Sequence, residues 1–305
     1  MLKAAFGEKL GQPVVLAAGF FDCVHLGHAA VIKRAKQIAD GCGAVTAVFT
    51  FSDDPSRALG KKAQIYDFDD RVLALGNIGA DVVIHAEFAS TCNMPAEGFL
   101  NALTSSAEIR GVVAGEDYTF GAKASGNAET LKTYFGSMGV RTEIMPFVTA
   151  DGRKIASTDI KKLVERGDVE AVNALLAEPY FMRGTVSHAH GRGKRIGYPT
   201  ANIALPSDRL RLGDGVYATS VKVDGDSKER IAITNVGGRP TFSEENPTVE
   251  TFLLDFCGDL YGKTVKLSFF KRLRGIMKFD DGGKLAEQLA RDSEAANLYF
   301  GETKL

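Results

Sequence analysis

The sequence predicts two domains, an α/β domain built on a doubly wound parallel sheet and a smaller domain that folds as an antiparallel β-barrel. Short apolar runs alternate with helical patterns up to Ser157, and this alternation is typical of βαβ units. From Phe181 onward the apolar residues recur with a period of two, and β-branched and aromatic residues dominate, which favours short antiparallel strands. The length of 305 residues also suits two domains. We therefore expect a boundary near residue 180, between domains over 1–180 and 181–305.

Five apolar runs predict the strands of the first domain. Several are apolar on both faces, as expected of parallel strands that helices cover on each side. These strands are predicted over residues 14–18, 44–51, 81–86, 109–114 and 142–148. The helical patterns between them cover residues 28–39, 69–75, 95–104 and 129–136. Ligands of such sheets bind beyond the carboxyl ends of the strands, so functional residues are expected there.

The remaining elements indicate the barrel and its neighbours. Two helices are predicted at 158–166 and 168–177, with Gly167 between them. Strands with two-residue alternation are predicted over residues 216–223, 230–236, 248–256 and 264–270. Turn residues separate them at hairpin spacing, which indicates a small antiparallel barrel. An amphipathic helix at 285–298 is expected to plug or cover this barrel.

Composition and charge argue against several classes of protein. Apolar residues make up 45% and charged residues 25% of the chain, as in a globular protein with a full core. A net charge of −1 argues against a nonspecific nucleic-acid binder. No stretch is long enough to span a bilayer, the first residues lack a signal-peptide core, and the four cysteines show no paired spacing. We expect a cytoplasmic protein without nucleic-acid or membrane partners, and the oligomeric state stays open.

The strongest functional signal is the segment Gly-Phe-Phe-Asp-Cys-Val-His-Leu-Gly-His at residues 19–28, between a predicted strand and a predicted helix. A helix N-terminus presents unpaired N–H groups and a partial positive charge, and therefore attracts phosphate. His25 and His28 add donors on the same side, and Gly27 allows close approach of the backbone. A single loop histidine is more often structural, but four of the five histidines fall in two glycine-containing loops, which favours function. Asp22 is either a helix cap or a turn residue.

Two further segments narrow the function. Val-Ala-Gly-Glu-Asp-Tyr-Thr-Phe-Gly at residues 113–121 follows the fourth predicted strand, and Ile-Ala-Ser-Thr-Asp-Ile-Lys at residues 155–161 opens the next helix. Alone, the last segment is only a capping signal. Together with the His-x-Gly-His pattern of residues 25–28, and in this order, the segments resemble the flavin adenylyltransferase domain of bacterial bifunctional riboflavin kinase/FAD synthetases. The resemblance implies a Rossmann-like nucleotidyltransferase domain.

The resemblance also implies an adenylyl transfer. An FMN phosphate oxygen would attack the α-phosphate of ATP and pyrophosphate would leave, with catalysis by positioning and by neutralisation of charge. His25 and His28 are implied as the catalytic residues, acting together with Mg²⁺. From the residues alone, Phe20 and Phe21 are expected to pack under the turn. The implied ATP-binding residues are Gly19, Phe20, Asp22, Gly27, Ser157, Thr158 and Lys161, and the implied flavin-binding residues are Asp117, Tyr118 and Phe120.

Three positions depart from the pattern of that family. Cys23 stands where the family usually has glycine, Asp54 stands where a histidine is common, and Lys161 replaces the usual arginine. A lysine supplies a point charge, whereas an arginine offers a bidentate fork to phosphate. These departures motivate an alternative in which adenylyl transfer is weakened.

A second concentrated signal lies at residues 191–202, Gly-Arg-Gly-Lys-Arg-Ile-Gly-Tyr-Pro-Thr-Ala-Asn. Glycines and basic side chains together can wrap polyphosphate, although such a segment alone is more often a basic surface loop. Its last four residues match the Pro-Thr-Ala-Asn motif of the riboflavin kinase fold, which implies that Thr200 and Asn202 bind the metal ion. The implied ATP-binding residues here are Gly191, Gly193, Lys194, Gly197 and Asn202.

Glu250 has support that is independent of the family. Two-residue alternation puts it on the face of Phe252, Leu254 and Phe256. A carboxylate on an apolar face needs a partner or a task, because burying a lone charge is costly. The structural alternative is a salt bridge inside the barrel. The resemblance implies instead that Glu250 is the base that takes a proton from the riboflavin 5′-hydroxyl, with Arg274 near the flavin.

The combined interpretation is a two-domain enzyme that makes FMN from riboflavin and ATP, then FAD from FMN and a second ATP, with Mg²⁺ in both steps. One alternative is a riboflavin kinase whose adenylyltransferase half is weakened or inactive. The alternative of another class is a non-catalytic flavin-binding regulatory protein. Because the chain has no tryptophan, phenylalanine and tyrosine are the expected packing partners of the flavin ring.

Overall fold

The computed structural model describes residues 1–58, 60, 63–187, 200–204, 209–237, 248–256, 258–279 and 281–303. The chain divides into two compact units, Met1–Ser157 and Thr158–Leu305. Two helices lie between this division and the boundary expected near residue 180, which stays a prediction.

The first unit contains a parallel sheet of six strands. They are β1 (Leu2–Ala5), β2 (Val14–Ala18), β3 (Val45–Phe51), β4 (Val82–Ala86), β5 (Ile109–Gly115) and β6 (Arg141–Met145), in the order β1-β4-β3-β2-β5-β6. The helices are α1 (Leu26–Cys42), α2 (Pro55–Ala58), α3 (Phe68–Ile78), α4 (Phe88–Thr91), α5 (Ala96–Ser106) and α6 (Ala128–Ser137), with a 3₁₀ turn at Ala122–Ala124. A two-stranded hairpin follows, formed by β7 (Thr149–Ala150) and β8 (Arg153–Lys154). The doubly wound sheet predicted for this half is confirmed.

Burial explains why most of these strands are visible in the sequence and one is not. All residues of β2 are buried, because apolar side chains from the sheet pack against α5 and α6 around Phe99 and Phe135. A strand with two buried faces is therefore an unbroken apolar run. Strand β1 pairs only with β4 at the edge of the sheet, and Ala4 is its single buried residue. Lys3 interrupts the apolar residues of this short strand, so β1 lacks an unbroken apolar run and was not among the predicted strands.

Local capping decides where several of these helices begin and end. The Asp67 carboxylate accepts the backbone N–H of Asp70 at 2.8 Å and starts α3. Asn127 forms a capping box with Thr130 at the start of α6. Gly43 ends α1 with φ = 64°, a left-handed conformation that favours glycine.

The second unit contains a closed antiparallel barrel. Its strands are β9 (Phe181–Ser187), β10 (Ala201–Ala204), β11 (Gly215–Val223), β12 (Glu229–Gly237), β13 (Thr248–Leu253) and β14 (Thr264–Arg274), in the order β10-β13-β12-β11-β14-β9. Helices α7 (Ser157–Arg166) and α8 (Val169–Leu175) precede the barrel, and α9 (Gly282–Thr303) follows it. The predicted barrel is confirmed. Strands β9 and β10 were not predicted individually, because β9 mixes apolar and polar residues and β10 has only four residues.

Hydrogen-bonded threonines cross the inside of the barrel. Thr219, Thr234 and Thr251 lie on three adjacent strands and are at most 1% exposed. The hydroxyl of Thr234 lies 2.8 Å from that of Thr219 and 2.6 Å from that of Thr251. Each buried hydroxyl is thus satisfied by a neighbour, which removes the penalty of burying it.

Helix α9 covers one outer face of the barrel and does not plug it. Its buried residues Ala296 and Phe300 pack against Val216, Ala218 and Ile233. These strand residues alternate with the buried threonines and therefore point away from the interior. Of the two expectations for this helix, covering is the correct one. In the described part of the chain, no helix combines the length and apolar character needed to cross a membrane.

Candidate functional sites

The first candidate site is the N-terminus of α1, directly beyond the carboxyl end of β2. His25 is the N-cap of this helix, and its Nδ1 accepts the backbone N–H of His28 at 3.1 Å. A ring nitrogen that accepts a hydrogen bond carries no proton, so neutral His25 holds its hydrogen on Nε2. The free end of this imidazole is therefore a hydrogen-bond donor beside the unpaired N–H groups of the helix.

The two imidazoles of this site stack on each other. The ring centroids of His25 and His28 are 3.6 Å apart with an interplanar angle of 14°, and Phe21 meets His28 edge-on at 5.1 Å. Burial lowers the pKa of His25, and burial together with the neighbouring His25 lowers the pKa of His28 to about 3. Both rings are therefore neutral at pH 7. Among the described residues, the buried Nδ1 of His28 has no hydrogen-bond partner.

The loop before α1 is held in an unusual backbone conformation by packing. Phe21 and Val24 have φ values of 56° and 48°, which non-glycine residues rarely adopt. Both side chains are almost fully buried, so packing supports the conformation. A Cβ atom at Gly19 would lie 2.7 Å from the Phe21 ring, and one at Gly27 would lie 3.0 Å from the His25 ring. A side chain at either position would crowd these rings, so close packing of the loop requires both glycines. The burial of Phe21 confirms that this side chain packs under the turn.

A chain of short polar contacts links this loop to Ser157, the last residue of the first unit. The Ser157 hydroxyl donates to Asp22 Oδ1 at 2.7 Å, and Cys23 Sγ donates to Ser157 Oγ at 3.2 Å. Cys23 is fully buried, so the loop accommodates the side chain at a position where glycine was expected. The structure thus brings together Asp22, His25, His28 and Ser157 of the predicted set. Thr158 and Lys161 belong to the second unit, where Lys161 is buried.

The flavin-binding residues expected at 113–121 follow β5. Asp117 pairs with Lys154 of β8 at 2.6 Å, and the Lys154 ammonium lies 3.5 Å from the ring centroid of Phe147. The charges of Asp117 and Lys154 act on His25, whose pKa they raise and lower respectively. These two residues therefore lie near the N-terminus of α1.

Two aromatic residues of the same segment stack together. The rings of Tyr118 and Phe120 are 5.5 Å apart with an interplanar angle of 20°. Phe120 is 7% exposed and also packs against Phe99 of the core. Burial raises the pKa of Tyr118. Phe120 thus takes part in the hydrophobic core, and its predicted contact with flavin stays a prediction.

Arg71 is a residue of this region that the motifs do not reveal. It is fully buried, donates from Nη1 to Gln64 Oε1 at 3.0 Å and from Nη2 to the carbonyl of Phe51, and lies over the Phe20 ring at 5.2 Å. Burial lowers its pKa to about 10, against the opposing effects of Asp22 and other acids. Arg71 lies one helical turn before Ala74 and Leu75, which are both buried. The sequence could have indicated a buried arginine here, because this spacing puts a charge on the apolar face of α3.

Asp54, one of the departures from the family pattern, has a structural role. Its carboxylate accepts the backbone N–H groups of Ser56 at 2.9 Å and Gln64 at 3.2 Å. It therefore connects Ser56 with Gln64, whose side chain in turn accepts a hydrogen bond from Arg71.

The second candidate site lies on the barrel, where three polar residues stand side by side on adjacent strands. Glu250 of β13 is in register with Asn202 of β10 and with Asn235 of β12. Among the described residues, the buried Oδ1 of Asn202 has no hydrogen-bond partner. Glu250 alternates with Thr251 and shares the outer face with Phe252, so it does not point into the barrel. The face expected to be otherwise apolar therefore carries two asparagines next to Glu250.

The structure gives less information on the other residues predicted for this site. Thr200 immediately precedes β10. Arg274, at the end of β14, binds Asp292 of α9 through Nε at 3.1 Å and Nη2 at 2.8 Å, and its contact with flavin stays a prediction. The predicted phosphate-binding residues Gly191, Gly193, Lys194 and Gly197 lie outside the described residues.

Comparisons with known proteins agree with this division into two sites. The family model described as FAD synthetase matches residues 8–159, and the one described as riboflavin kinase matches residues 176–300. The bifunctional riboflavin kinase/FMN adenylyltransferase of Bacillus subtilis (strain 168) is 34% identical over 298 residues, which cover 95% of this chain and 93% of the relative. The protein of the same name from Haemophilus influenzae is 32% identical and covers 96% of each chain.

A solved structure also resembles the chain over nearly its full length. It is titled as the crystal structure of a macrolide-efflux protein from Streptococcus pneumoniae, and it is 30% identical with a TM-score of 0.85. The match covers 97% of this chain and 99% of that one.

Proposed function

The chain belongs to the family of bifunctional riboflavin kinase/FMN adenylyltransferases, and from this premise we propose that it phosphorylates riboflavin to FMN with one ATP and adenylylates FMN to FAD with another. The observation that carries the adenylyl step is the N-terminus of α1, where His25 presents its Nε2–H beside a neutral His28. The observation that carries the kinase step is Glu250 between Asn202 and Asn235.

In the proposed adenylyl transfer, an FMN phosphate oxygen attacks the α-phosphorus of ATP. The bond from this phosphorus to the bridging oxygen breaks, and pyrophosphate leaves with the electron pair. His25 donates from Nε2 to a phosphate oxygen, and the N–H groups at the start of α1 add partial positive charge. Fixed donors of this kind stabilise charge that develops in the transition state without reorganising. No covalent enzyme intermediate is required.

In the proposed kinase reaction, Glu250 accepts the proton of the riboflavin 5′-hydroxyl. The hydroxyl oxygen then attacks the γ-phosphorus of ATP, and ADP leaves. Asn202 and Asn235 flank the carboxylate and orient it or its ligands. A general base of this kind contributes about 10²–10⁴-fold to the rate.

The oxygen donors of the second site fit a bound Mg²⁺. The Oδ1 of Asn202, which has no hydrogen-bond partner among the residues that the structure describes, and the hydroxyl of Thr200 next to β10 are hard oxygen ligands, which Mg²⁺ prefers. When bound, the ion neutralises charge on the ATP phosphates.

Location of this protein in the cytoplasm is likewise a proposal.

The test is product analysis with the full chain, riboflavin, ATP and Mg²⁺. We expect FMN first and FAD with pyrophosphate later. If the chain forms FMN from riboflavin but forms no FAD, even when FMN and ATP are supplied directly, the alternative is favoured. That alternative is a riboflavin kinase with a weakened or inactive adenylyltransferase half, which the departures at Cys23, Asp54 and Lys161 motivate. Binding of flavin with neither product would contradict the proposal and favour a non-catalytic binder.

A further inference from the structure

Three potential ligands for a soft metal ion meet at the N-terminus of α1. The Sγ atom of Cys23 and one ring nitrogen each of His25 and His28 lie within 4.8 Å of one another. Cys23 is the residue of this loop that departs from the family pattern. Adenylyl transfer uses the two imidazoles but assigns no task to a thiol.

This set of ligand types suits Zn²⁺ or a similar cation. One thiolate at about 2.3 Å and two imidazole nitrogens at about 2.0–2.1 Å make a three-ligand site with an open fourth position. Thiolate and imidazole select borderline and soft cations over Mg²⁺, which prefers oxygen. The rings of His25 and His28 stack with an interplanar angle of 14°, so their in-plane lone pairs run nearly parallel and a side-chain rotation must bring them to converge on the ion.

A second observation points to a ligand here. The Nδ1 of His28 is buried and has no hydrogen-bond partner among the described residues, whereas buried polar groups are nearly always satisfied. Cys23 of the same cluster is fully buried, and its Sγ donates to Ser157 Oγ. A metal ion would satisfy the orphaned nitrogen and replace the weak thiol hydrogen bond.

We propose that Cys23, His25 and His28 bind a thiophilic divalent cation such as Zn²⁺, and that the metal-bound form excludes ATP from the first unit. Binding displaces the thiol proton to solvent, because only the thiolate is a ligand. The exclusion part rests on the proposed adenylyl transfer, and the binding part does not.

The geometry makes the two occupants compete. His25 donates to phosphate only while its hydrogen is on Nε2, the tautomer that its bond to the His28 N–H enforces. A metal at Nε2 requires the opposite tautomer and therefore loss of that cap. A metal at Nδ1 leaves the hydrogen on Nε2 but displaces the cap that orients the ring. In either case the combination of cap and directed Nε2–H that would hold ATP is lost.

Metal binding is tested by titrating the metal-free full chain with Co²⁺ and recording the thiolate-to-cobalt charge-transfer absorption in the near ultraviolet. We expect one equivalent to bind with this band. Cys23→Ser and Cys23→Gly should lose the band and bind at least about tenfold more weakly, since even a lost supporting partner costs 10–100-fold in metal affinity. Cys92→Ser is the matched control, because the half-buried Cys92 thiol donates to the carbonyl of Ala89, three residues earlier, and it should retain the band. Absence of the band in the unaltered chain, or its persistence in both Cys23 variants, would overturn the proposal.

Exclusion of ATP is tested by FAD formation from FMN and ATP at buffered free Zn²⁺. The unaltered chain and Cys92→Ser should be inhibited and should recover with a chelator, whereas Cys23→Ser should resist inhibition. FMN formation by the second unit is the internal control and should not follow this pattern. Equal inhibition of all variants would refute exclusion through this site. A chain that makes no FAD at all would contradict the proposed function, while the cobalt band would still decide the metal site.

Discussion

The Nδ1 atom of His25 accepts the backbone N–H of His28 at 3.1 Å, so a single imidazole both caps α1 and directs its Nε2–H outward. Capping and phosphate binding are therefore two properties of one side chain. They can be separated by substitution, because asparagine is a good N-cap and has no equivalent of Nε2.

We expect His25→Ala and His25→Asn to lose FAD formation alike and to differ in stability. Removal of one preorganised donor costs about 10²–10³-fold in kcat, and both variants lack it. Only alanine also removes the cap, at a cost of about 0.5–2 kcal/mol in the free energy of unfolding. Steady-state FAD formation and urea unfolding measure the two effects. Full activity in His25→Asn would show that Nε2 does not act in the reaction.

The second prediction separates the two activities through Glu250. We expect Glu250→Gln to lower FMN formation about 10²–10⁴-fold, because the amide cannot accept the proton. Formation of FAD from supplied FMN and ATP should stay unchanged. Glu287→Gln on the exposed surface of α9 is the matched control and should keep both activities. A Glu250→Gln variant with ordinary FMN formation would exclude this carboxylate as the base.

The sequence predicted those features that depend on local patterns. The central parallel strands β2, β3, β4 and β5 are visible because both of their faces are largely buried. The site at α1 is visible because a glycine-containing loop with two histidines follows a strand. The edge strand β1 was not predicted, because only Ala4 is buried and the strand therefore has no apolar run of the kind that a buried strand shows. The role of Arg71 also escaped prediction, because its partners Phe51 and Gln64 are brought to it only by the fold.

The environment of Glu250 shows the same limit. Alternation along one strand placed it correctly with Phe252 but could not name the residues across from it. Register brings Asn202 and Asn235 beside it, and pairing between distant strands is not encoded in a single segment. Likewise, Asp292 was not foreseen as the partner of Arg274, since the pair joins a strand to the terminal helix.

The third prediction concerns Gly167, which directly follows α7. Its φ is 75°, and a Cβ atom there would lie 2.3 Å from the Tyr217 hydroxyl oxygen. Gly167→Ala should therefore destabilise the chain by more than backbone strain alone, which costs about 1–2 kcal/mol. Gly225→Ala is the matched control, because that glycine has φ = 83° and no described atom outside its chain neighbours lies within 4 Å of the position that a Cβ would take. Urea unfolding should give the larger loss for Gly167→Ala, and equal losses would contradict the contact.

The fourth prediction concerns the ion pair of Arg274 and Asp292, whose side chains are 17% and 4% exposed. Gln288 also donates to the Asp292 carboxylate at 2.9 Å. Asp292→Ala leaves the guanidinium half-buried without its partner, and we expect a loss of about 3 kcal/mol in the free energy of unfolding. The double variant Arg274→Met with Asp292→Leu should lose less, because no charge remains buried. A double variant less stable than Asp292→Ala would show that the pair acts through packing of α9 instead.

The fifth prediction follows from the neutral rings of His25 and His28. Burial lowers the pKa of His28 to about 3, against an unfolded value of 6.5. Between these values the unfolded chain binds a proton that the folded chain does not, so stability rises with pH. The contribution is complete above pH 6.5 and is lost as the pH falls from 6.5 toward 3. On acidification from pH 6.5 to 5.5, His28 should therefore cost the chain up to about 1.4 kcal/mol.

The variant His28→Gln isolates this effect, because glutamine does not titrate. Urea unfolding at pH 7.5, 6.5 and 5.5 should show a smaller loss of stability with acid in His28→Gln than in the unaltered chain. The difference between the two proteins should grow below pH 6.5 and stay constant above it. A parallel pH dependence of the two proteins would mean that His28 gains its proton as readily in the folded state as in the unfolded one.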